Sequence, residues 1–169
     1  MNNGFTYTGS VSVIFKNGKK VISKRSYNNG KHLLFSAYSM AICGMDISQL
    51  IPTHIWLGYK DKENIEHSLL TSDVASAVIN YMANADGAEY DGLPFTRVSI
   101  NLNSASVRES AVPTSGVNAL IQLRTSTGKV LAEVEADIMN TLSQVTSGTQ
   151  VIIVWDLYIS NNKDNKGEG

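Results

Sequence analysis

Asp86, Glu89 and Asp91 fall within Ala85-Asp-Gly-Ala-Glu-Tyr-Asp-Gly92, three carboxylates on a glycine-rich stretch. Hard oxygen donors on such a loop suit calcium. Their spacing matches no EF-hand loop, so a solvated turn accounts for them better. Glu133 and Glu135 are the next pair. At roughly 3.3 Å per residue they stand about 7 Å apart on one strand face, a gap that inverting glycosidases use. An outer face lacks the enclosed pocket that raises a carboxyl pKa, and charge that keeps a strand edge from aggregating explains them as well. His32, His54 and His67 lie in three separate settings, without His-x-x-x-His or zinc-ligand spacing. His54 alternates onto the face of Trp56 and reads as a packed or edge histidine. The single Cys43 follows an apolar helical pattern and reads as a small packed hydrophobe. No nucleophile elbow, phosphate loop or dinucleotide fingerprint is present. The sequence therefore predicts no catalytic residue, no metal and no cofactor. Tyr81, Tyr90 and Phe95 remain as an aromatic platform for a glycan receptor, with interior packing as the competing account.

Charge is distributed in blocks. Lys16, Lys19, Lys20, Lys24 and Arg25 surround Asn17-Gly18, and residues 16–31 hold six basic and no acidic side chains. Residues 61–91 hold seven acidic side chains, opening with Asp61, Glu63 and Glu66, and Lys62 is their one basic residue. A solvated face is the ordinary reading of each block. If the two lie on opposite sides, head-to-tail association of identical copies is favoured, since heterologous contacts close into rings or propagate.

These residues must be positioned by a chain of 169 residues, long enough for one domain with a core of its own. Net charge is −1, so nothing global favours nucleic acid or membrane lipid. One cysteine excludes an internal disulfide. The opening Met1-Asn-Asn-Gly-Phe-Thr lacks the basic and apolar parts of a secretion signal, and no apolar run is long enough to span a membrane. The expectation is a protein made in the cytoplasm.

The organising stretch is Thr149–Asn161. Val151, Ile153, Trp155, Leu157 and Ile159 share one face, and Ile152, Val154 and Tyr158 make the other apolar apart from Asp156. That pattern fits a central strand covered on both sides. Phe5–Lys16 and Val21–Tyr27 form a hairpin about Asn17-Gly18. Leu33, Leu34, Ala37, Tyr38, Ala41, Ile42 and Met45 recur at helical spacing, closed by Gly44. His54–Tyr59 reads as a strand and Lys60–Glu66 as a charged loop. Ser72-Asp73 caps a brief predicted helix through Val74, Val78, Ile79 and Met82. Thr96–Leu102, Val117–Leu123 and Val130–Ala136 alternate as strands. Ser104–Gly116 reads as a polar excursion, Ile138–Ser147 as a crossing segment. The sum is a mainly β chain of about seven strands in an antiparallel two-layer β-sandwich with one or two short helices. Residues 1–160 form the domain and 161–169 a loose tail.

The order of these pieces resembles small β-sandwich structural proteins of tailed bacteriophage virions, from the tail, baseplate, collar or fibre apparatus. The resemblance runs from Asn17-Gly18-Lys19 and Asn28-Asn29-Gly30 through Ile55-Trp56-Leu57-Gly58 and Leu69-Leu70-Thr71-Ser72-Asp73. It continues through Gly128-Lys129-Val130-Leu131-Ala132 to Ser147-Gly148-Thr149-Gln150-Val151. The chain departs from that pattern at Tyr59-Lys60-Asp61 and at Ala119–Arg124. The resemblance implies a non-enzymatic virion protein with no catalytic residue to carry over. It also implies assembly with itself, as a ring or trimer or as a coat on a larger particle, and with other virion proteins; the absence of a nucleic-acid or membrane partner is expected from the net charge alone.

Overall fold

The computed structural model describes residues 5–28, 31–32, 51–70, 75–76, 78–82, 95–103, 106–107, 112–113 and 116–161. They form eleven strands: β1 (Phe5–Asn17), β2 (Lys20–Asn28), β3 (Lys31–His32), β4 (His54–Lys60), β5 (Glu66–Ser68), β6 (Ala75–Ser76), β7 (Val78–Met82), β8 (Phe95–Asn103), β9 (Ala119–Arg124), β10 (Val130–Ala136) and β11 (Thr149–Asn161). The first sheet runs β2-β1-β11-β8-β7, and the second β3-β10-β9-β4-β5 with β6 also on β4. All pairings are antiparallel. The molecule is a mainly β, two-layer antiparallel sandwich.

β11 is the central strand of its sheet, between β1 and β8, with Trp155 opposite Val11 on one side and Val98 on the other. Its Val151, Ile153, Trp155 and Leu157 face the second sheet and are buried, together with Val11, Val13 and Phe15 from β1. Ile55 and Leu57 of β4, Ala119, Ile121 and Leu123 of β9, and Ala132, Val134 and Ala136 of β10 supply the opposing layer. The period-two pattern sets this directly, since alternate residues of a strand point to one face. A single helical turn, α1 (Met139–Leu142), crosses between the sheets with Ile138, Leu142 and Val145 in the core. A helix this short has no stability of its own, so the burial of Leu142 holds it. The β1–β2 turn uses Gly18 at φ +61°, a left-handed conformation that glycine adopts without a Cβ penalty.

Three expectations change. Four short strands, β3, β5, β6 and β7, join the seven read from alternation. Residues 75–76 and 78–82 are strands rather than helix: β7 pairs along β8, with Val78 opposite Ser99 and Met82 opposite Phe95. Val-Ile-Asn-Tyr-Met has strand propensity, and hydrogen bonds to the edge of β8 outweigh a short apparent helical period. The excursion after β8 returns inward, because Val107 and Val112 are buried in the core and Val107 bridges to Leu70. The helix expected over Leu33–Met45, with Cys43, and the tail after Asn161 lie outside the described residues.

Candidate functional site

The basic hairpin lies along the β2 edge of the first sheet. Lys19, Lys20, Lys24 and Arg25 are exposed and Lys16 is half-buried. A register shift between Phe15 and Lys16 leaves Ile22 without an opposite residue on β1. Such a bulge bends an edge strand. Val21 and Ile22 consequently stand 52% and 53% exposed. Arg25 differs from the lysines. Its Nη1 donates to Asp137 Oδ2 at 3.1 Å, and the Tyr27 hydroxyl donates to Asp137 Oδ1 at 2.6 Å. Asp137 follows β10, so one carboxylate ties the edge of the first sheet to the second. The Tyr27 bond, with Arg25 beside it, holds the Asp137 carboxyl below the usual carboxylate range. Burial, and then the bond to that carboxylate, push the Tyr27 phenol up.

The acidic block is largely engaged where it is described. Asp61 Oδ1 accepts the backbone N–H groups of Glu63 at 2.9 Å and Ile65 at 3.0 Å, and Oδ2 lies 2.8 Å from His67 Nε2. The bond to His67, then the Ile65 amide, keep Asp61 below the ordinary carboxylate range. His67 also stacks on Tyr59, with ring centroids 4.9 Å apart. Asp61 thus shapes the β4–β5 turn, where Asn64 adopts φ 66°. Glu66 reaches across the outer face of the second sheet to Gln122 and Arg124. Glu63 is exposed.

That outer face holds a polar cluster. Gln122 is buried, at 2% exposure, and its amide nitrogen donates to Glu66 Oε2 at 3.0 Å and Glu133 Oε2 at 2.8 Å. Its Oε1 accepts from Arg124 Nε at 2.9 Å and from Nη2. The Arg124 guanidinium sits 4.7 Å from the Trp56 ring centroid, a cation–π arrangement. Burial pulls the Arg124 pKa down while Glu66 and Glu133 support its charge. Trp56 lies down over Gly58, where a Cβ would stand 2.3 Å from the indole and 2.2 Å from the His67 carbonyl oxygen. Every group of Gln122 is matched, so the cluster is built as a covering layer of hydrogen bonds. Glu133 and Glu135 therefore differ: the former is bonded to Gln122, the latter exposed.

The other candidates fall only in part within the described residues. Phe95 is 2% exposed with the Arg97 guanidinium 5.2 Å from its ring centroid, so it offers no open face for a sugar. Tyr81 lies on β7 opposite Thr96. Tyr90, Asp86, Glu89 and Asp91 lie outside the described residues. His54 is half-buried with Nδ1 2.7 Å from Thr53 Oγ1. Among the described residues, no group of three or more His, Cys, Asp or Glu is placed to hold a metal, and no helix is long and apolar enough to cross a membrane. Sequence reading missed the Gln122–Arg124 cluster. Its one signal was two polar residues at i and i+2 on a strand whose other face is wholly apolar.

Compared with protein-family models, with curated proteins and with solved structures, the chain matches none.

Proposed function

We propose that the chain is a non-enzymatic structural protein of a tailed-phage virion, assembling as a homo-oligomer, with other virion proteins, in the tail, collar or fibre region. The observation that carries this reading is the separation of its charged edges. β2 is clasped over β10 through Asp137, and the second sheet then runs β10-β9-β4-β5. At about 4.8 Å per strand, the β5 edge stands about 14 Å across the sandwich from the strand beneath the basic hairpin, and the turn leading into it carries the exposed Glu63. The exposed lysines of one copy's hairpin and the exposed Glu63 of another favour head-to-tail contact, and such a contact closes into a ring where its rotation allows. The order of elements and its resemblance to phage virion proteins support the assignment to a particle. The two clasped sheets give the stiffness that a repeated building unit requires.

Light scattering and negative-stain electron microscopy at low and high salt test the proposal. Discrete rings or trimers that loosen as salt rises are the expected result. A monomer at high protein concentration under both conditions, or turnover of a small substrate, overturns it.

A further inference from the structure

We propose that the open edge of β2 takes up an acidic, extended segment of a neighbouring protein as an added strand. The proposal rests on reading the basic hairpin as a contact surface, and it names the partner of that surface. Among the described residues β2 is bonded on one side alone, to β1. Alternate backbone N–H and C=O groups along Lys20–Asn28 therefore face outward. The side chains there are open too: Lys20, Lys24 and Ser26 are exposed, and Val21 and Ile22 are more than half exposed.

Three features select the occupant. A second copy of the same edge is a poor fit, because antiparallel pairing centred on Lys24 sets lysine against lysine. Most of this chain's described acids are engaged within the molecule: Asp61 by its turn and His67, Glu66 and Glu133 by Gln122, Asp137 by Arg25 and Tyr27. Of the exposed ones, Glu63 lies in a turn and Glu135 on β10, which is paired on both sides, so neither offers a free acidic strand. The lysines that discourage like-with-like pairing are complementary to carboxylates on a foreign strand. The backbone then decides between anions. A nucleic acid neutralises the lysines but has no regular row of donors for the strand's carbonyl groups. An added strand answers the charges and the backbone together, and the exposed Val21–Ile22 pair accepts an apolar side chain beside them.

The probe is a short, fluorescently labelled peptide alternating Glu with Val. The comparisons are the same peptide N-methylated at every second residue, a version with Lys in place of Glu, and a single-stranded oligonucleotide. The Glu–Val peptide is expected to bind and to slow hydrogen exchange at the amides of residues 20–28. Affinity is expected to fall about tenfold in K20E/K24E, and by a similar factor in about 0.5 M salt. The N-methylated and lysine peptides are expected not to bind. Both substituted lysines are exposed, so an unchanged melting curve shows that K20E/K24E folds. Equal binding of the N-methylated peptide, tighter binding of the oligonucleotide, or absence of protection at β2 overturns the proposal. The readout does not require self-assembly. A monomeric chain that takes up the peptide keeps this inference and loses the oligomer, while a ring that ignores the peptide does the reverse.

Discussion

Asp156 and Arg97 face each other across β11 and β8, with Arg97 Nε 2.8 Å from Asp156 Oδ1 and Nη2 2.9 Å from Oδ2. The one charge in the apolar central strand is thus met by a two-pronged partner from the neighbouring strand. The Asp156 side chain is 8% exposed and that of Arg97 32%. Desolvation of the carboxylate is severe, and the forked geometry offsets it. Arg97→Met leaves that carboxylate buried without its guanidinium and is expected to cost about 2–4 kcal/mol, the upper end tempered by partial exposure. Arg97→Met combined with Asp156→Leu is expected to recover much of the loss. Urea denaturation of the single and double variants checks this. Losses that simply add would show that the pair is not coupled.

Gly58 marks a second contact with little tolerance. A methyl group there meets both the Trp56 indole and a backbone oxygen of β5, and the oxygen cannot move without parting β4 from β5. Gly58→Ala is expected to destabilise by about 2–4 kcal/mol, lowering Tm by roughly 5–12 °C. Adding Trp56→Leu removes one clash and restores only part. A thermal melt of G58A within a degree or so of the parent would contradict the close approach.

Trp155 is fully buried, and its indole N–H is a buried group without a hydrogen-bond partner. Trp155→Phe loses packing volume but also removes that orphan donor, two effects of about 1–3 kcal/mol and opposite sign. A net change within about 1.5 kcal/mol is expected. Trp155→Asp, which buries an unpaired charge in the same place, is expected to abolish folding. Equal stability of the two variants by circular dichroism would refute this placement of the side chain.

Among the described residues, three groups tie stability to pH. Asp61 and Asp137 have depressed pKa values in the fold, so their contribution is present above the unfolded carboxylate value of about 3.9 and is lost as pH falls through the lower folded value. Tyr27 is shifted the other way. Its contribution is present below about pH 10 and is lost as pH rises beyond it, when the unfolded phenol ionises first. Chemical denaturation against pH is expected to show an acid limb that flattens in Asp61→Asn/Asp137→Asn and an alkaline limb that flattens in Tyr27→Phe. An unchanged acid limb in the double variant would assign acid sensitivity to other carboxylates.

Much of the sandwich is written in local alternation. Val151, Ile153, Trp155 and Leu157 announce a buried face, Asn17-Gly18 announces the first hairpin, and Thr125–Gly128 announces the turn between β9 and β10. Those features depend on residues close in sequence, so periodicity and turn chemistry are enough to find them. The basic block was legible in the same way, since composition alone exposes it. Pairing across long stretches was not. Val78–Met82 carries an ambiguous short apolar run, and only the edge of β8 makes it a strand. Glu66, Gln122, Arg124 and Glu133 converge from three strands, and Arg25, Tyr27 and Asp137 meet from two sheets. A hydrogen-bonded cluster of this kind is defined by distances through space, which a one-dimensional pattern does not encode. Tertiary structure therefore decided which charges are bound within the molecule and which, such as Lys20 and Lys24, remain turned outward.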